Sequence, residues 1–125
     1  MFADTDLAWA AGIIDGEGSI GAYTQGNSTN TLSVTVGSTD FRMVQKLYDM
    51  FGGHLREANP CASGRTFWHW KATAKCATSM LQLVLPYLVT KREQAEVALV
   101  FSGTTGRPER QELADKLREM KKAVR

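Results

Sequence analysis

Two carboxylates stand among glycines near the start of the chain. In the stretch AAGIIDGEGSI, residues 10–20, Asp15 and Glu17 alternate with small residues. The letters GEGSIG satisfy the dinucleotide-binding pattern, but that motif needs a strand before it and a helix after it. Here a helix precedes the glycines and a strand follows them. A calcium-binding loop is excluded as well, because Ile20 stands where its sixth-position glycine is required.

The placement of Glu17 still needs an explanation. A helix that simply ends at a glycine accounts for Gly16, but it leaves an acid beside the negative end of the helix dipole. A carboxylate held there needs a counter-charge, and a divalent metal ion supplies one. The stretch therefore favours a metal-binding carboxylate over an incidental surface acid.

The same helix carries a stripe with almost no side chains. Ala8, Gly12 and Gly16 recur every four residues, with Ala11 beside them. Such a stripe allows a second helix to approach backbone to backbone. If that helix belongs to a second copy of the chain, a two-fold axis brings two Glu17 side chains together. The predicted dimer contacts are Ala8, Ala11, Gly12 and Asp15.

Periodicity along the chain predicts the order α-β-β-α-β-β-α-α-α. Apolar residues at helical spacing alternate with segments of period two, and glycines or prolines separate them. Thr5 or Asp6 is predicted to cap the first helix, and Asp40 the second. The predicted helices cover 5–15, 41–51, 75–85, 87–102 and 108–124, and the predicted strands cover 19–25, 31–36, 54–58 and 65–73.

This order predicts an α+β fold in which helices cover one face of four antiparallel strands. The other face would be polar, with cationic and aromatic side chains interleaved, which suits the base edges and phosphates of a nucleic acid. An ordinary solvated sheet face is an equally good reading of the pattern. The residues predicted to contact DNA from this face are Ser19, Tyr23, Gln25, Thr31, Ser33, Thr35, Arg56, Arg65, His69 and Lys71, with His54 and Phe67 on the same face.

Composition limits the class of protein. A chain of 125 residues, 43% hydrophobic and 22% charged, predicts one globular domain. It has no apolar run long enough for a membrane span and no basic signal-peptide start, so we expect an intracellular protein, in the cytoplasm or an organelle, that is not secreted. Cys61 and Cys76 form no metal-binding pair. Residues 38–92 hold eight Lys or Arg against three acids. Such a segment could face a phosphate backbone, and a solvated basic surface explains it equally well.

At this point the residues resemble the LAGLIDADG homing endonucleases, in the single-motif class that works as a homodimer. The segment AAGIIDGEG, residues 10–18, fits the nine-residue motif with Ala10 for its leading Leu and Gly16 for its Ala. MFGGHL, FWHWKATAK and LPYLVTKREQAEVALVF also look like that family, so the resemblance covers roughly residues 5–102. The C-terminal helix, about 108–124, lies outside it.

The resemblance implies an αββαββα fold with a saddle-shaped sheet that sits in the major groove of a long, pseudo-palindromic double-stranded DNA site. It also implies metal-dependent cleavage of both strands in the context of intron or intein mobility, without an organic cofactor. Glu17 would bind Mg²⁺, with the Gly16 carbonyl as a further ligand, and an oxygen-rich site suits Mn²⁺ as well. Lys91 and Gln94 would complete the catalytic set, and Asp15 would hold the helix end.

One family feature has no single counterpart. A polar residue near the start of the second helix usually helps to hold the water network, and Ser38, Thr39 and Arg42 all stand in that region. We count Ser38 and Arg42 among the predicted DNA contacts.

Two other functions compete with cleavage. A DNA- or RNA-binding protein on the same fold, a maturase or a regulator, would keep the metal site without cutting. A structural α+β dimer with no nucleic-acid partner would bind DNA weakly and with little dependence on salt.

Overall fold

The computed structural model describes residues 2–23, 30–58 and 64–124. Within these ranges the predicted order of elements is confirmed, and so is the α+β class. The helices are α1 (Asp4–Glu17), α2 (Phe41–Phe51), α3 (Ala74–Val84), α4 (Arg92–Ser102) and α5 (Arg107–Val124). The strands are β1 (Gly18–Tyr23), β2 (Thr31–Ser38), β3 (His54–Ala58) and β4 (Phe67–Thr73).

The four strands form one antiparallel sheet in the order β1-β2-β4-β3. Side chains alternate across it as period-two patterning requires. Ile20, Val34, Val36 and Trp70 are at most 1% exposed and lie on the face that the helices cover. The opposite face holds the residues of the other parity, and this face was predicted to meet DNA.

Helix α1 begins one residue earlier than predicted, and its cap prediction was wrong. Ala3 is the N-cap, and no side chain caps the helix. The acids of the first turn bind elsewhere: Asp4 accepts a hydrogen bond from the Tyr87 hydroxyl at 3.0 Å, and Asp6 pairs with Lys46 at 3.0 Å. These contacts tie α1 to neighbouring segments. The predicted Asp40 cap of α2 is confirmed, since its carboxylate accepts from the Arg42 amide at 3.0 Å.

The largest difference from the predicted boundaries lies between α3 and α4. A helix predicted over 87–102 is replaced by a 3₁₀ turn (Leu85–Tyr87), a short link and then α4. The link forms because amides at 89 and 91 donate to the side chain of Asp15 instead of to helix carbonyls. The contact between Asp15 and Val89, which are 74 residues apart in sequence, therefore moves the start of α4 to a later residue than predicted.

Of the helices in the described part of the chain, none is both long and apolar enough to cross a membrane. Cys76 is a free thiol whose S–H donates to the Phe51 carbonyl at 3.3 Å. Cys61 lies outside the described residues.

Candidate functional site

The junction between α1 and β1 contains no loop. Glu17 is the last residue of the helix and Gly18 is the first residue of the strand. The Gly18 N–H donates to the Ile14 carbonyl, and a Cβ at Gly18 would lie 2.9 Å from the Cα and carbonyl oxygen of Ile14. Only glycine fits at that distance, so the sequence needs glycine here for close approach. The main chain of Glu17 is thereby placed at the edge of the sheet, and its side chain is exposed.

Asp15 holds the segment that carries Lys91. Its two carboxylate oxygens accept from the amides of Val89 at 2.8 Å and Lys91 at 2.9 Å. In return, the Lys91 ammonium donates to the Asp15 carbonyl oxygen at 2.7 Å. These three bonds place the Lys91 side chain at the C-terminal end of α1, two residues from Glu17 along the helix. The side chain of Asp15 is therefore engaged within its own chain, as a residue that holds the helix end, and its role as a dimer contact stays a prediction.

Replacing Asp15 by alanine is expected to destabilise the fold. The half-buried amide of Lys91 and the exposed amide of Val89 would lose a charged acceptor. Hydrogen bonds to charged groups contribute about 1.5 to 3 kcal/mol each, and the exposed one is expected to lie at the low end. We expect a loss of about 2 to 3 kcal/mol in the free energy of unfolding, measured by urea denaturation. Glu17→Gln is the matched control, because Glu17 has no hydrogen-bond or ion-pair partner among the described residues. Equal stability of the two variants would contradict the role given to Asp15.

Gln94 does not lie where a substrate could reach it. Its side chain is 2% exposed, and its Oε1 is buried without a hydrogen-bond partner among the described residues. It shares a buried stripe of α4 with Ala95, Ala98 and Phe101. We therefore correct its prediction as a catalytic residue: in this chain Gln94 is an interior residue. The helical spacing of these four positions was the sequence signal that could have shown this.

The small residues of α1 divide between two faces. Ala11 is fully buried in the core, which corrects its prediction as a dimer contact. Ala8, Gly12 and Gly16 are exposed on the other side of the helix. A Cβ built at Gly12 or at Gly16 meets nothing within 4 Å. Nothing inside the described chain thus requires glycine at these two positions, although glycine inside a helix costs about 0.5 to 1 kcal/mol relative to alanine.

The open face of the sheet brings polar side chains into rows across the strands. Ser19 pairs with Thr35, Thr35 with Lys71, and Lys71 with His54, so one row crosses all four strands. A neighbouring row contains Gly37, His69 and Arg56. Hydroxyl, imidazole and cationic groups in such rows can donate to base edges and to phosphates.

Other predicted DNA contacts are placed differently. Ser38 has the parity of the core face, and its Oγ accepts from the Asp40 amide at 2.9 Å. The Arg42 guanidinium is bound to the Asp40 carboxylate at 3.1 Å, and this pair lowers the pKa of Asp40 and raises that of Arg42. Ser33 has the open-face parity but is only 3% exposed. Thr31 lies on β2, Arg65 precedes β4, and Gln25 lies outside the described residues.

Tyr23 has a partner that the sequence did not indicate. The Lys121 ammonium on α5 donates to the Tyr23 hydroxyl at 2.8 Å and lies 5.6 Å from the centre of its ring. Partial burial alone would raise the pKa of Tyr23, but the bond to Lys121 and the nearby Arg118 lower it below its ordinary value. No local pattern connects residues 98 positions apart, so sequence reasoning missed Lys121.

The electrostatics of the open face are clearest at His69. Partial burial, followed by the charges of Arg56 and Lys71, lowers the pKa of His69 below 6.5. The imidazole is therefore mostly neutral at pH 7 in the free protein. A neutral histidine among cations can gain a proton when phosphates approach it.

Acidification is expected to destabilise the free protein through His69. Because its pKa is lower in the folded state, the unfolded chain binds more protons, and stability falls as the pH drops through about 6.5. Thermal unfolding between pH 7.5 and 5.5 should show a smaller loss for His69→Gln than for wild type. His54→Gln, which keeps His69, serves as the control and should follow wild type. Parallel curves for wild type and His69→Gln would contradict the assignment.

A metal ion would have to be held by very few side chains of one chain. No group of three or more His, Cys, Asp or Glu side chains that could share an ion occurs among the described residues. Mg²⁺ does not need such a cage, since it is usually held by one or two carboxylates together with substrate phosphates. The exposed carboxylate of Glu17 and the adjacent main-chain carbonyl of Gly16 are hard oxygen donors of the kind that Mg²⁺ prefers. The donor set therefore fits this cation.

Comparison with protein-family models finds no match, and comparison with curated proteins finds none. Comparison with solved structures does find similar folds. The homing endonuclease I-CvuI, in complex with its target, is 24% identical, with a TM-score of 0.79 over 93% of this chain and 82% of that one. An archaeal intron-encoded homing endonuclease, I-Vdi141I, complexed with DNA, is 13% identical, with a TM-score of 0.73 over 94% and 84% of the two chains.

A third solved structure, the homing endonuclease I-TnaI, is 15% identical, with a TM-score of 0.64 over 95% of this chain and 97% of its own. The resemblance inferred from the motif is therefore confirmed in the fold. This chain has the fold of the LAGLIDADG homing endonucleases.

Proposed function

We propose that this chain, which has the LAGLIDADG homing endonuclease fold, is a site-specific DNA endonuclease that acts as a homodimer with a divalent metal ion. The observation that carries the proposal is the joint placement of Glu17 and Lys91 at the end of α1, beside the polar face of the sheet. One acid and one base lie where a helix meets the first strand of that face.

The open face of the sheet would bind the DNA. Its rows offer donors to base edges, while Arg56 and Lys71 offer positive charge to the phosphates. I-CvuI and I-Vdi141I were solved with a target or DNA bound, which supports double-stranded DNA as the partner class. Sequence preference would come from the strand side chains that reach the groove.

The cleavage chemistry would take place at the end of α1. Glu17 would hold Mg²⁺, or Mn²⁺ in its place, together with the Gly16 carbonyl; a bound cation stabilises the charge that develops on phosphate oxygens. Complexes of I-CvuI were solved in the presence of Ca and, with the DNA not cleaved, in the presence of Mg, which is consistent with a divalent metal ion. Lys91 would offset negative charge on the phosphate and orient a water molecule, because Asp15 fixes its main chain and accepts from its ammonium.

Dimerisation supplies what one chain lacks. A single chain contributes one Glu17, whereas cutting two strands needs two such sites. The exposed stripe of Ala8, Gly12 and Gly16 gives α1 a surface on which a second α1 can lie in close contact. A two-fold axis along that contact would place the two Glu17 residues near each other and extend the two sheets in opposite directions.

The test is a cleavage assay of the purified protein with Mg²⁺ on a randomised DNA library, run beside an EDTA control. Discrete double-strand cuts that disappear with EDTA are expected. Retention of DNA with a steep salt dependence but without cuts would instead support a non-cleaving binding protein. Weak DNA binding that does not depend on salt would overturn both the endonuclease and the non-cleaving binding protein. It would support a structural dimer with no nucleic-acid partner.

A further inference from the structure

A basic cleft lies between the end of β1 and helix α5, at the end of the sheet remote from Glu17. The cleft has a volume of about 180 Å³. Its basic lining residues are Arg118, Lys121 and Lys122. Gly21, Ala22, Tyr23 and Ala114 complete the lining. Three cations therefore line a cleft beside Tyr23, whose side chain has the parity of the open face of the sheet.

The charges of this cleft are available to an anion. Lys121 binds the Tyr23 hydroxyl, a neutral partner, at 2.8 Å. Arg118 pairs with Asp115 at 3.2 Å and Lys122 with Glu119 at 3.5 Å, each three residues away on the same helix, and all four side chains are more than half exposed. Exposed pairs of this kind contribute only about 0 to 1 kcal/mol. An incoming phosphate can therefore compete for these cations at small cost.

The position of the cleft indicates which part of a bound DNA duplex could contact it. β1 runs from Gly18, next to Glu17, to Tyr23, so the cleft lies about 17 Å along the strand from the metal-binding end, at about 3.4 Å per residue. A DNA duplex that follows the open face outward from Glu17 would reach the cleft with its backbone. The lining offers three cationic side chains, which suit phosphates better than base edges.

We propose that the cleft formed by Arg118, Lys121, Lys122 and the end of β1 binds a phosphate of the DNA backbone and thereby extends the DNA-binding surface onto helix α5. The inference rests on the proposed function, since it assumes DNA on the open face. Tyr23 then acts as a positioning residue, because its hydroxyl holds the Lys121 ammonium over the cleft. The contact would strengthen binding without selecting the sequence.

The test compares DNA affinity as a function of salt for wild type and for the double variant Arg118→Gln/Lys121→Gln. Each phosphate contact that is lost lowers the slope of log K against log salt by about 0.9. We expect the slope of the double variant to be smaller than that of wild type by about that amount or more for each subunit. The preferred DNA site should be the same for both proteins. Lys116→Gln is the matched control: it removes the same charge from the same helix, but Lys116 lies about 200° around the helix from Arg118.

The outcomes separate the two proposals. A steep slope in wild type that the double variant shares would overturn the cleft as a phosphate site and leave the endonuclease proposal standing. If Lys116→Gln reduces the salt slope as much as the double variant does, the effect comes from the overall charge of the protein. That result would also overturn the cleft as a phosphate site. If wild type itself shows no salt dependence, both proposals fail. Urea denaturation of the double variant verifies that a changed slope does not arise from unfolding.

Discussion

Glu17→Gln is expected to abolish DNA cleavage while DNA binding persists. The substitution keeps the shape of the side chain but removes the charge that would hold the metal. A metal ion stabilises a phosphoryl transition state by several kcal/mol, and about 4 kcal/mol corresponds to a thousandfold change in rate. We therefore expect cleavage to fall by about a thousandfold or more, measured under single-turnover conditions on a DNA site that wild type cuts.

The control for Glu17→Gln is Glu96→Gln, which makes the same change at an exposed position of α4. It should cleave like wild type. Affinity for the DNA site should be equal or slightly higher in Glu17→Gln, since a negative charge near the phosphates has gone. Cleavage by Glu17→Gln at the wild-type rate on that site would contradict the metal-binding role of Glu17 while leaving the endonuclease activity itself established.

Gly12→Leu is expected to separate the proposed dimer into folded monomers. Gly12 is exposed, and a Cβ built there meets nothing within 4 Å among the described residues, so the monomer should tolerate the substitution. Leucine is also a better helix former than glycine, so the variant should be at least as stable as the wild-type monomer. Between two α1 helices in backbone contact, however, two leucines would force the helices apart. Light scattering should report a mass near 13.8 kDa for the variant and about twice that for wild type.

Gln82→Leu provides the comparison for Gly12→Leu, because it adds an exposed leucine to helix α3. It should remain a dimer. Double-strand cleavage should be lost in Gly12→Leu and kept in Gln82→Leu. A variant Gly12→Leu that stays dimeric and active would place the subunit contact on some surface other than α1.

The parts of the fold that were predictable depend on local patterns. Alternation at Ile20, Val34 and Val36 identified the core face of β1 and β2 because one face of a sheet must be buried. The Asp40 cap was predictable because it binds an amide only two residues away. The end of α1 was predicted two residues too early, at 15, because Gly16 was read as a stop; the helix continues to Glu17 and ends before Gly18, where the close approach of Ile14 leaves no room for a side chain.

The parts that were missed depend on contacts between distant segments. The segment before α4 looked helical, but its amides are taken by Asp15, and no periodicity shows that. Lys121 lies beside Tyr23 only because α5 packs along β1. Gln94 was misread for a different reason: its position one turn along from Lys91 was preferred to the buried stripe on which it lies.

The direct passage from α1 into β1 has a consequence for changing the specificity of such a protein. No loop residue lies between Glu17 and Gly18. Helix α1, which would contact the partner subunit, and strand β1, which would contact DNA, are therefore expected to move together. The separation of the two half-sites in a target would then be fixed by how the helices cross. The DNA specificity would then be changed by exchanging side chains on the strands. A target with longer or shorter DNA between its half-sites would not be accommodated, because no hinge between α1 and β1 allows the two sheets to move apart.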